Sequence, residues 1–343
     1  MLVDSLIALP IYPEWFLRFV IRLLVYKKFR TESAYQQLQG NSYTNIVRFL
    51  SEGNLASDFD ASNDQHYEVS TKFYKEVLGS HLKYSCAYWD ETSADLSSAE
   101  AAMLELYCDR AQLQDGQDIL ELGCGWGSLS LFMAKKYPNS RITAMSSSNQ
   151  QRLHIESEIK KHELKNLTVI TQDINQFNPS STYDRIVSIE MFEHLSNYKL
   201  LFEKLESWIK DDGAIFIHVF GHKKFAYKFV NKDITDWISR HFFTGGVMPS
   251  EGLFSYFQDK LFIVNQWRVA GTHYQKTADA WVKNLNQNKS KVIGILSQDY
   301  PESSALIKFN NWKIFFLACA ELFGFNNGND WMVFHYFIKK RAT

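Results

Sequence analysis

Two stretches of the chain carry residue types at spacings suited to chemistry. In Glu190-Met191-Phe192-Glu193-His194, two carboxylates and an imidazole stand at i, i+3 and i+4. If the chain turns helical after the apolar run Tyr183–Ile189, that spacing brings all three to one face. Such an acid–base cluster can take or relay the proton of an amine and hold a cationic amine in line with an electrophile. Upstream, Ile119-Leu120-Glu121-Leu122-Gly123-Cys124-Gly125-Trp126-Gly127 reads as a strand that ends beside an acidic residue and runs into G-x-G-x-G. This places a turn free of side chains, then a helix N-terminus, at the carboxyl end of a strand, where ligands bind. The spacing is not that of the dinucleotide fingerprint G-x-G-x-x-G, and no Lys-Ser/Thr follows to cradle a phosphate. With Glu121 beside the loop, a cationic or amino-bearing small molecule is the better electrostatic match, and a sulfonium with an amino-acid tail fits that description. No H-E-x-x-H or comparable spacing is present, so no metal site is expected.

The elements that position these residues follow from the rhythm of apolar residues. Helical patterns run to about residue 110. From Gln117 onward, short apolar runs at Asp118–Glu121, Arg141–Ala144, Thr168–Thr171, Tyr183–Ile189 and Ala214–Phe220 alternate with helical segments, which predicts a parallel α/β sheet. Aromatic-rich pieces around Gly245-Gly246 follow, then a strand at Leu261–Val269 and a last one at Trp331–Ile338 after the turn Asn326-Asn327-Gly328. Near the start, Leu6 to Tyr26 is apolar, but Pro10, Pro13, Glu14, Arg18 and Arg22 interrupt it before it reaches the roughly 18–20 residues of a spanning helix. Trp15, Phe16, Phe19, Val20, Leu23 and Leu24 recur there at helical spacing beside Arg18, Arg22, Lys27, Lys28 and Arg30. That is a basic amphipathic helix, suited to packing on its own domain or to docking on a membrane surface or partner.

Composition narrows the function classes. The 343 residues are 45% apolar and 15% aromatic with 6 Pro, enough to bury a core and unlike a disordered or coiled-coil chain. A net charge of −1 lacks the basic footprint of duplex nucleic-acid binders. Cys86, Cys108, Cys124 and Cys319 form no C-x-x-C pair, which suits a reducing, cytoplasmic setting.

The run Glu121 to Gly127 resembles the first motif of class I S-adenosylmethionine-dependent methyltransferases, in the branch of cyclopropane fatty acid synthases and coclaurine-type N-methyltransferases. His66-Tyr67-Glu68, Lys83-Tyr84-Ser85-Cys86-Ala87-Tyr88, Ser188 to His194 and Phe242-Phe243-Thr244-Gly245-Gly246-Val247-Met248-Pro249 resemble the same branch, the last being closer to the N-methyltransferases, as is Ala320 to Phe325. The resemblance implies a Rossmann-like, seven-stranded, mostly parallel sheet in residues 111–343. A helical N-terminal cap over 1–110 and a substrate-covering insertion at about 221–260 complete the expected architecture.

S-adenosylmethionine is the implied cofactor. Gly123 and Gly125 would cradle its methionine part, Tyr84 and Ser85 would close over it, and Glu121 would face its ammonium. The acidic residue that often binds the ribose after the second strand is missing. Ser146 or Ser147, with Gln151 five residues into the helix, takes that place in the resemblance. Asp173 and Ile174 would hold the adenine, with Ile189 on the other side. The implied reaction is transfer of a methyl group to the nitrogen of a small amine, with Glu190, Glu193 and His194 as base and amine-orienting groups.

A rival chemistry in the branch methylates an alkene of a phospholipid and closes a cyclopropane ring, using a bicarbonate held by a cysteine, a glutamate, a histidine and a tyrosine. Cys86, Glu193 and His218 match three of these, but the tyrosine position is Phe315, which cannot donate a hydrogen bond. Cys319 falls where the synthases carry a cysteine assigned to catalysis, yet nothing near it in sequence would lower a thiol pKa, so packing is expected. His222, near His218, is a further pocket candidate. Aromatic residues such as Trp89, Phe220, Trp237 and Phe334 suit an organic substrate. The expected partner is a small-molecule amine, not nucleic acid; membrane-surface contact belongs to the lipid chemistry, and a second copy of the chain is entertained.

Overall fold

In the computed structural model, residues 12–38, 43–56, 69–229, 245–301 and 304–341 are described. His66-Tyr67-Glu68, Trp237 and Phe242-Phe243-Thr244 lie outside them. Helices α1 (Glu14–Leu38), α2 (Thr44–Phe49), α3 (Thr71–Val77) and α4 (Leu96–Arg110) precede the first strand. Helix α4 begins where Asp95 accepts from the Ser98 amide at 2.8 Å while Ser98 Oγ accepts from the Asp95 amide at 3.0 Å, a reciprocal cap.

Each predicted apolar run is a strand: β1 (Asp118–Leu122), β2 (Arg141–Ser146), β3 (Leu167–Thr171), β4 (Tyr183–Ile189) and β5 (Ile209–His222). Helices α5 (Ser128–Lys136), α6 (Asn149–Lys161) and α7 (Tyr198–Trp208) connect them. A two-stranded ribbon, β6 (Tyr227–Lys228) with β7 (Val247–Met248), flanks the undescribed part of the insertion. The chain continues through β8 (Leu261–Val269), α8 (Gly271–Gln287), α9 (Lys289–Asp299), α10 (Ala305–Gly324) and β9 (Trp331–Lys340).

The seven-stranded sheet has the order β3-β2-β1-β4-β5-β9-β8. Pairs β1·β2, β2·β3, β1·β4 and β4·β5 are parallel, while β9 runs antiparallel to both β5 and β8. The order reverses between β1 and β4, and this switch point opens a crevice at the carboxyl ends of both strands. In register, β5 sets His218 beside Ile189 of β4 and opposite His335 of β9, which in turn lies opposite Trp267 of β8.

One hydrophobic cluster runs from Ile21 and Val25 of α1 through Phe73 and Tyr107 to Ile119, Val187 and Phe216 of the sheet. The helical N-terminal region and the sheet therefore share a core. Helix α1 is fixed on its inner side by Arg18, which donates to Glu321 of α10 at 2.9 Å and to Asp279 of α8 at 2.7 Å, and by Arg22, which donates to Glu321 at 2.5 Å. Two of its basic residues thus bond inward. Its outer side exposes Trp15 (70%), Phe19 (54%) and Leu23 (54%). No described helix is long and apolar enough to cross a membrane.

Candidate active site

The crevice at the switch point is lined by the loop after β1 (Gly123 to Trp126), by Glu121, by Lys83, Tyr84 and Ser85, by Tyr107 of α4, by Gln151 of α6, and by Ile189 and Glu190 after β4. Gly123, Gly125 and Gly127 all have positive φ. At Gly125 a Cβ would point into open space, so the backbone stands bare toward the crevice. Glu121 is buried, and its Oε2 accepts from Ser130 Oγ. Burial pushes its carboxyl up to about 8, the state of a carboxylate that lacks a cation.

The acid–base cluster is built differently from the helical spacing. Glu190 has φ +48, which ends β4 in a left-handed turn, and the short 3-10 helix Phe192–His194 begins only after it. The three residues therefore do not share one face. Glu190 turns into the crevice. Its Oε1 accepts from the Cys86 amide at 3.0 Å and from His218 Nε2 at 3.0 Å, and its Oε2 accepts from Tyr274 OH at 2.8 Å. A carboxylate offers about four acceptor sites, so these three donors leave one for a ligand. Burial raises the Glu190 pKa, and the charge of Lys83 opposes that rise.

Glu193 points instead to β5, where its Oε1 accepts from the Phe220 amide at 2.7 Å. It is fully buried and its Oε2 has no hydrogen-bond partner among the described residues. Burial, then repulsion from Glu190, drives its pKa well upward. His194 is half-buried and is not among the residues lining the crevice.

Several residues complete the site without having been singled out in the sequence. Lys83 is buried, donates to Ser85 Oγ at 2.5 Å and to the Cys86 carbonyl at 2.6 Å, and burial lowers its pKa to about 8. Tyr107 OH lies 2.9 Å from His218 Nδ1, which is also 2.9 Å from His335 Nε2; His335 Nδ1 in turn receives Arg110 Nη1 at 2.7 Å. Lys83 sits inside the Lys83 to Tyr88 motif, and His335 is the one imidazole in the apolar run Trp331–Ile338. Those were the available signals. Tyr107, Arg110 and Tyr274 had none, because their helices reach the site only through tertiary packing.

Residues 56–332 match the profile of the mycolic acid cyclopropane synthetase family. The chain belongs to this family. It is 39% identical, over 98% of its length and 94% of the relative's, to (S)-coclaurine N-methyltransferase of Thalictrum flavum subsp. glaucum. It is 35% identical, over 97% of its length and 96% of the relative's, to the enzyme of that name from Papaver somniferum. Its fold superposes on a crystal structure of coclaurine N-methyltransferase bound to N-methylheliamine and SAH with a TM-score of 0.93, at 37% identity over 98% of this chain and 99% of that one. This family member is an S-adenosylmethionine-dependent N-methyltransferase with the Rossmann-like sheet expected from its sequence.

The residues at the crevice suit that cofactor. A bare glycine turn, a buried carboxylate in want of a cation and the amide of Gln151 answer the needs of an amino-acid tail and a ribose. Tyr84, Ser85, Glu121, Gly123, Gly125, Gln151 and Ile189 all line the crevice, as the sequence suggested. Ser146 is one step behind, buried and donating to Gln151 Oε1 at 2.6 Å. Ser147, Asp173 and Ile174 are not among the lining residues. Asp173 Oδ1 accepts from the Asn175 amide at 2.9 Å, and Ile174 is packed in the core.

Four further candidates are not among the residues lining the crevice: His222, Phe315, Cys86 and Cys319. His222 is a packed structural histidine: its Nδ1 accepts from the Lys224 and Phe225 amides at 3.0 and 2.8 Å, and its ring stacks on Phe225 at 4.0 Å. Phe315 is buried beside Trp312 and Phe316. A tyrosine hydroxyl reaches the crevice from elsewhere, since Tyr274 of α8 donates to Glu190 Oε2. Cys86 Sγ donates to the Ala87 carbonyl at 3.3 Å, so the Cys86 contribution to the carboxylate is its amide. Burial raises the Cys319 thiol pKa, which rules against a thiolate there.

Proposed function

We propose that this enzyme methylates the nitrogen of a small cyclic or aromatic amine, with Glu190 as the base. The observation that carries this reading is the carboxylate of Glu190, held by three donors with one acceptor site turned to the crevice. When bound, S-adenosylmethionine supplies an electrophilic methyl group beside the glycine turn. In this reading Glu121 faces its ammonium, Gly123 and Gly125 line its tail, Tyr84 and Ser85 close over it, Ser146, Ser147 and Gln151 serve the ribose, and Asp173, Ile174 and Ile189 the adenine. Glu190 accepts a proton from the bound ammonium, which frees the nitrogen lone pair to form the new C–N bond. A carboxyl whose burial raises its pKa is better matched to an amine than one at the usual 4.5. Glu193 stands behind it, its carboxyl pushed upward by burial and by Glu190, and His194 follows on the same turn.

Residues 1–110 form the cap in this reading and about 221–260 cover the substrate. The four free cysteines suit a cytoplasmic enzyme. The base site also bears on the lipid chemistry. Cys86 and His218 both present N–H groups to Glu190, so a side chain of this chain already fills the position between them.

The test is a paired turnover assay that follows SAH release, with (S)-coclaurine and other secondary and tertiary amines in one arm and vesicles of unsaturated phospholipid in the other. Turnover with an amine alone is expected. Glu190→Gln should lower kcat by about 100-fold or more while SAH still binds. Methylated or cyclopropane acyl product would overturn the amine reading.

A further inference from the structure

Three groups join Glu190 to the far side of the sheet in a line of hydrogen bonds: Arg110 Nη1 to His335 Nδ1 at 2.7 Å, His335 Nε2 to His218 Nδ1 at 2.9 Å, and His218 Nε2 to Glu190 Oε1 at 3.0 Å. Both imidazoles are fully buried. The direction of the line is set by its first member, because a guanidinium has donors and no acceptor. His335 Nδ1 must therefore accept, so its proton is on Nε2. That N–H can only be donated to His218 Nδ1, which places the His218 proton on Nε2, aimed at Glu190. The reverse assignment, a protonated Glu190 donating to His218, would leave His335 with two accepting nitrogens, which no neutral imidazole has.

A second line enters the same point. Lys83 Nζ donates to Ser85 Oγ at 2.5 Å, Ser85 bonds to the phenol of Tyr107, and Tyr107 OH lies 2.9 Å from His218 Nδ1. The Ser85 hydroxyl can accept from both its neighbours, so this second line does not set its own direction, and Tyr107 shares the one lone pair of His218 Nδ1 with His335. Helix α4 supplies Tyr107 and Arg110 three residues apart, and the pairing of β5 with β9 sets the two histidines opposite each other. Arg110 is itself seated over the Trp267 ring at 5.1 Å, on the next strand.

We infer that Arg110 and His335 are positioning residues for methyl transfer: they lock His218 as a neutral Nε2–H donor, so that Glu190 takes the amine proton and His218 never does. This rests on the amine reading above for its consequence, but not for its geometry. The donors all run toward Glu190, so the line orients the carboxylate and does not conduct a proton away. The proton accepted by Glu190 returns to solvent through the crevice as the methylated amine leaves. Burial and the charges of Lys83 and Arg110 keep His218 neutral. Glu190 is faced by Lys83, Cys86, Tyr274 and His218, with Glu193 and Cys319 also close enough to interact.

The experiment has two arms on the full chain. In the first, nitrogen-15 NMR of labelled histidine, without substrate, reads the tautomers at pH 7. Both His218 and His335 should be neutral with the proton on Nε2, and Arg110→Met should turn His335 into a mixture. A proton on Nδ1 of either ring, or a charged ring, overturns the proposal whatever the substrate is. In the second arm, His335→Phe and His335→Gln are compared with (S)-coclaurine as the amine. His335→Phe should cut kcat about tenfold, with KM and SAH affinity within about twofold, and should move the acid limb of the pH profile higher, because Glu190 loses a fixed donor to its charged form. His335→Gln, which keeps a donor and an acceptor, should recover most of the loss. An unchanged kcat and pH profile in His335→Phe would refute the positioning role. A chain that methylates no amine but shows the predicted tautomers would refute the substrate reading alone.

Discussion

Glu121, proposed above to face the cofactor's ammonium, is kept in the fold at a cost in stability. Its carboxyl is buried with only Ser130 as a hydrogen-bond partner, and burial lifts its pKa to about 8. The folded chain therefore binds a proton there that the unfolded chain releases above about 4.5, so this residue's contribution to stability is lost as pH rises through 8. Glu121→Gln should raise the melting temperature of the cofactor-free protein at pH 8.5. The same change should weaken SAH binding by roughly 10–100-fold, the worth of a hydrogen bond to a charged group. Melting curves and titration calorimetry read the two effects, and a variant that gains affinity would show that Glu121 does not face the ammonium. The place of Glu121 at the crevice could be read from the sequence because its position, two residues before Gly123, is local. The orientation of Glu190 could not. The i, i+3, i+4 spacing holds only for continuous helix, and the positive φ of Glu190 breaks it.

At the scale of elements, the turn after β1 separates two uses of glycine. A Cβ on Gly127 (φ +81) would come within 2.7 Å of Ile155 of α6, whereas one on Gly125 (φ +52) would meet nothing. A left-handed residue other than glycine costs about 1–2 kcal/mol in either place. Gly127→Ala should therefore lower the melting temperature more than Gly125→Ala, because it adds a clash between α5 and α6. Gly125→Ala should instead lose SAH affinity by about tenfold or more, since its methyl group enters ligand space. Equal effects of both variants on melting and on binding would contradict this division. The strands themselves were readable because buried parallel strands are continuous apolar runs, and β1 to β4 begin and end within two residues of the expected bounds. Strand β5 starts five residues earlier than its apolar run, at Ile209. Its first turn of pairing, Ile209 with Tyr183, passes through an irregular register around polar residues that carry no strand signal.

The whole molecule concentrates buried ionisable groups to an unusual degree, and their sum gives a pH profile. Burial raises the pKa of Glu100 to about 7 and of Glu121 to about 8, and also raises Glu190 and Glu193. Each makes the fold bind protons that the unfolded chain has lost, so each lowers stability as pH rises above the ordinary carboxyl range. Burial lowers His218 and His335, so those two lower stability as pH falls below 6.5, where the unfolded chain gains protons. Below 6.5 the two tendencies oppose each other. Above it the carboxyls dominate, with a slope on the order of 1 kcal/mol per pH unit for each group titrating, opposed near pH 8 by Lys83 alone among the site's lysines, because its lowered pKa makes the fold release a proton that the unfolded chain keeps. The melting temperature of the cofactor-free enzyme should fall between pH 6.5 and 8.5, and SAH should flatten that fall by giving Glu121 its cation. A melting temperature that rises over the same range would refute the assignment of these buried carboxyls.

The reversed strand β9 has a consequence for how the enzyme is made. It lies between β5 and β8, both of which precede it in the chain. During synthesis on the ribosome, a slot between two unpaired strand edges must stay open until Trp331–Lys340 emerges to fill it. The glycine turn and Glu190 precede β9 in the chain, whereas His335 arrives with it, so the residue inferred to position His218 joins the site after the groups it serves. In that interval the nascent chain presents the kind of exposed apolar edge that chaperones shield.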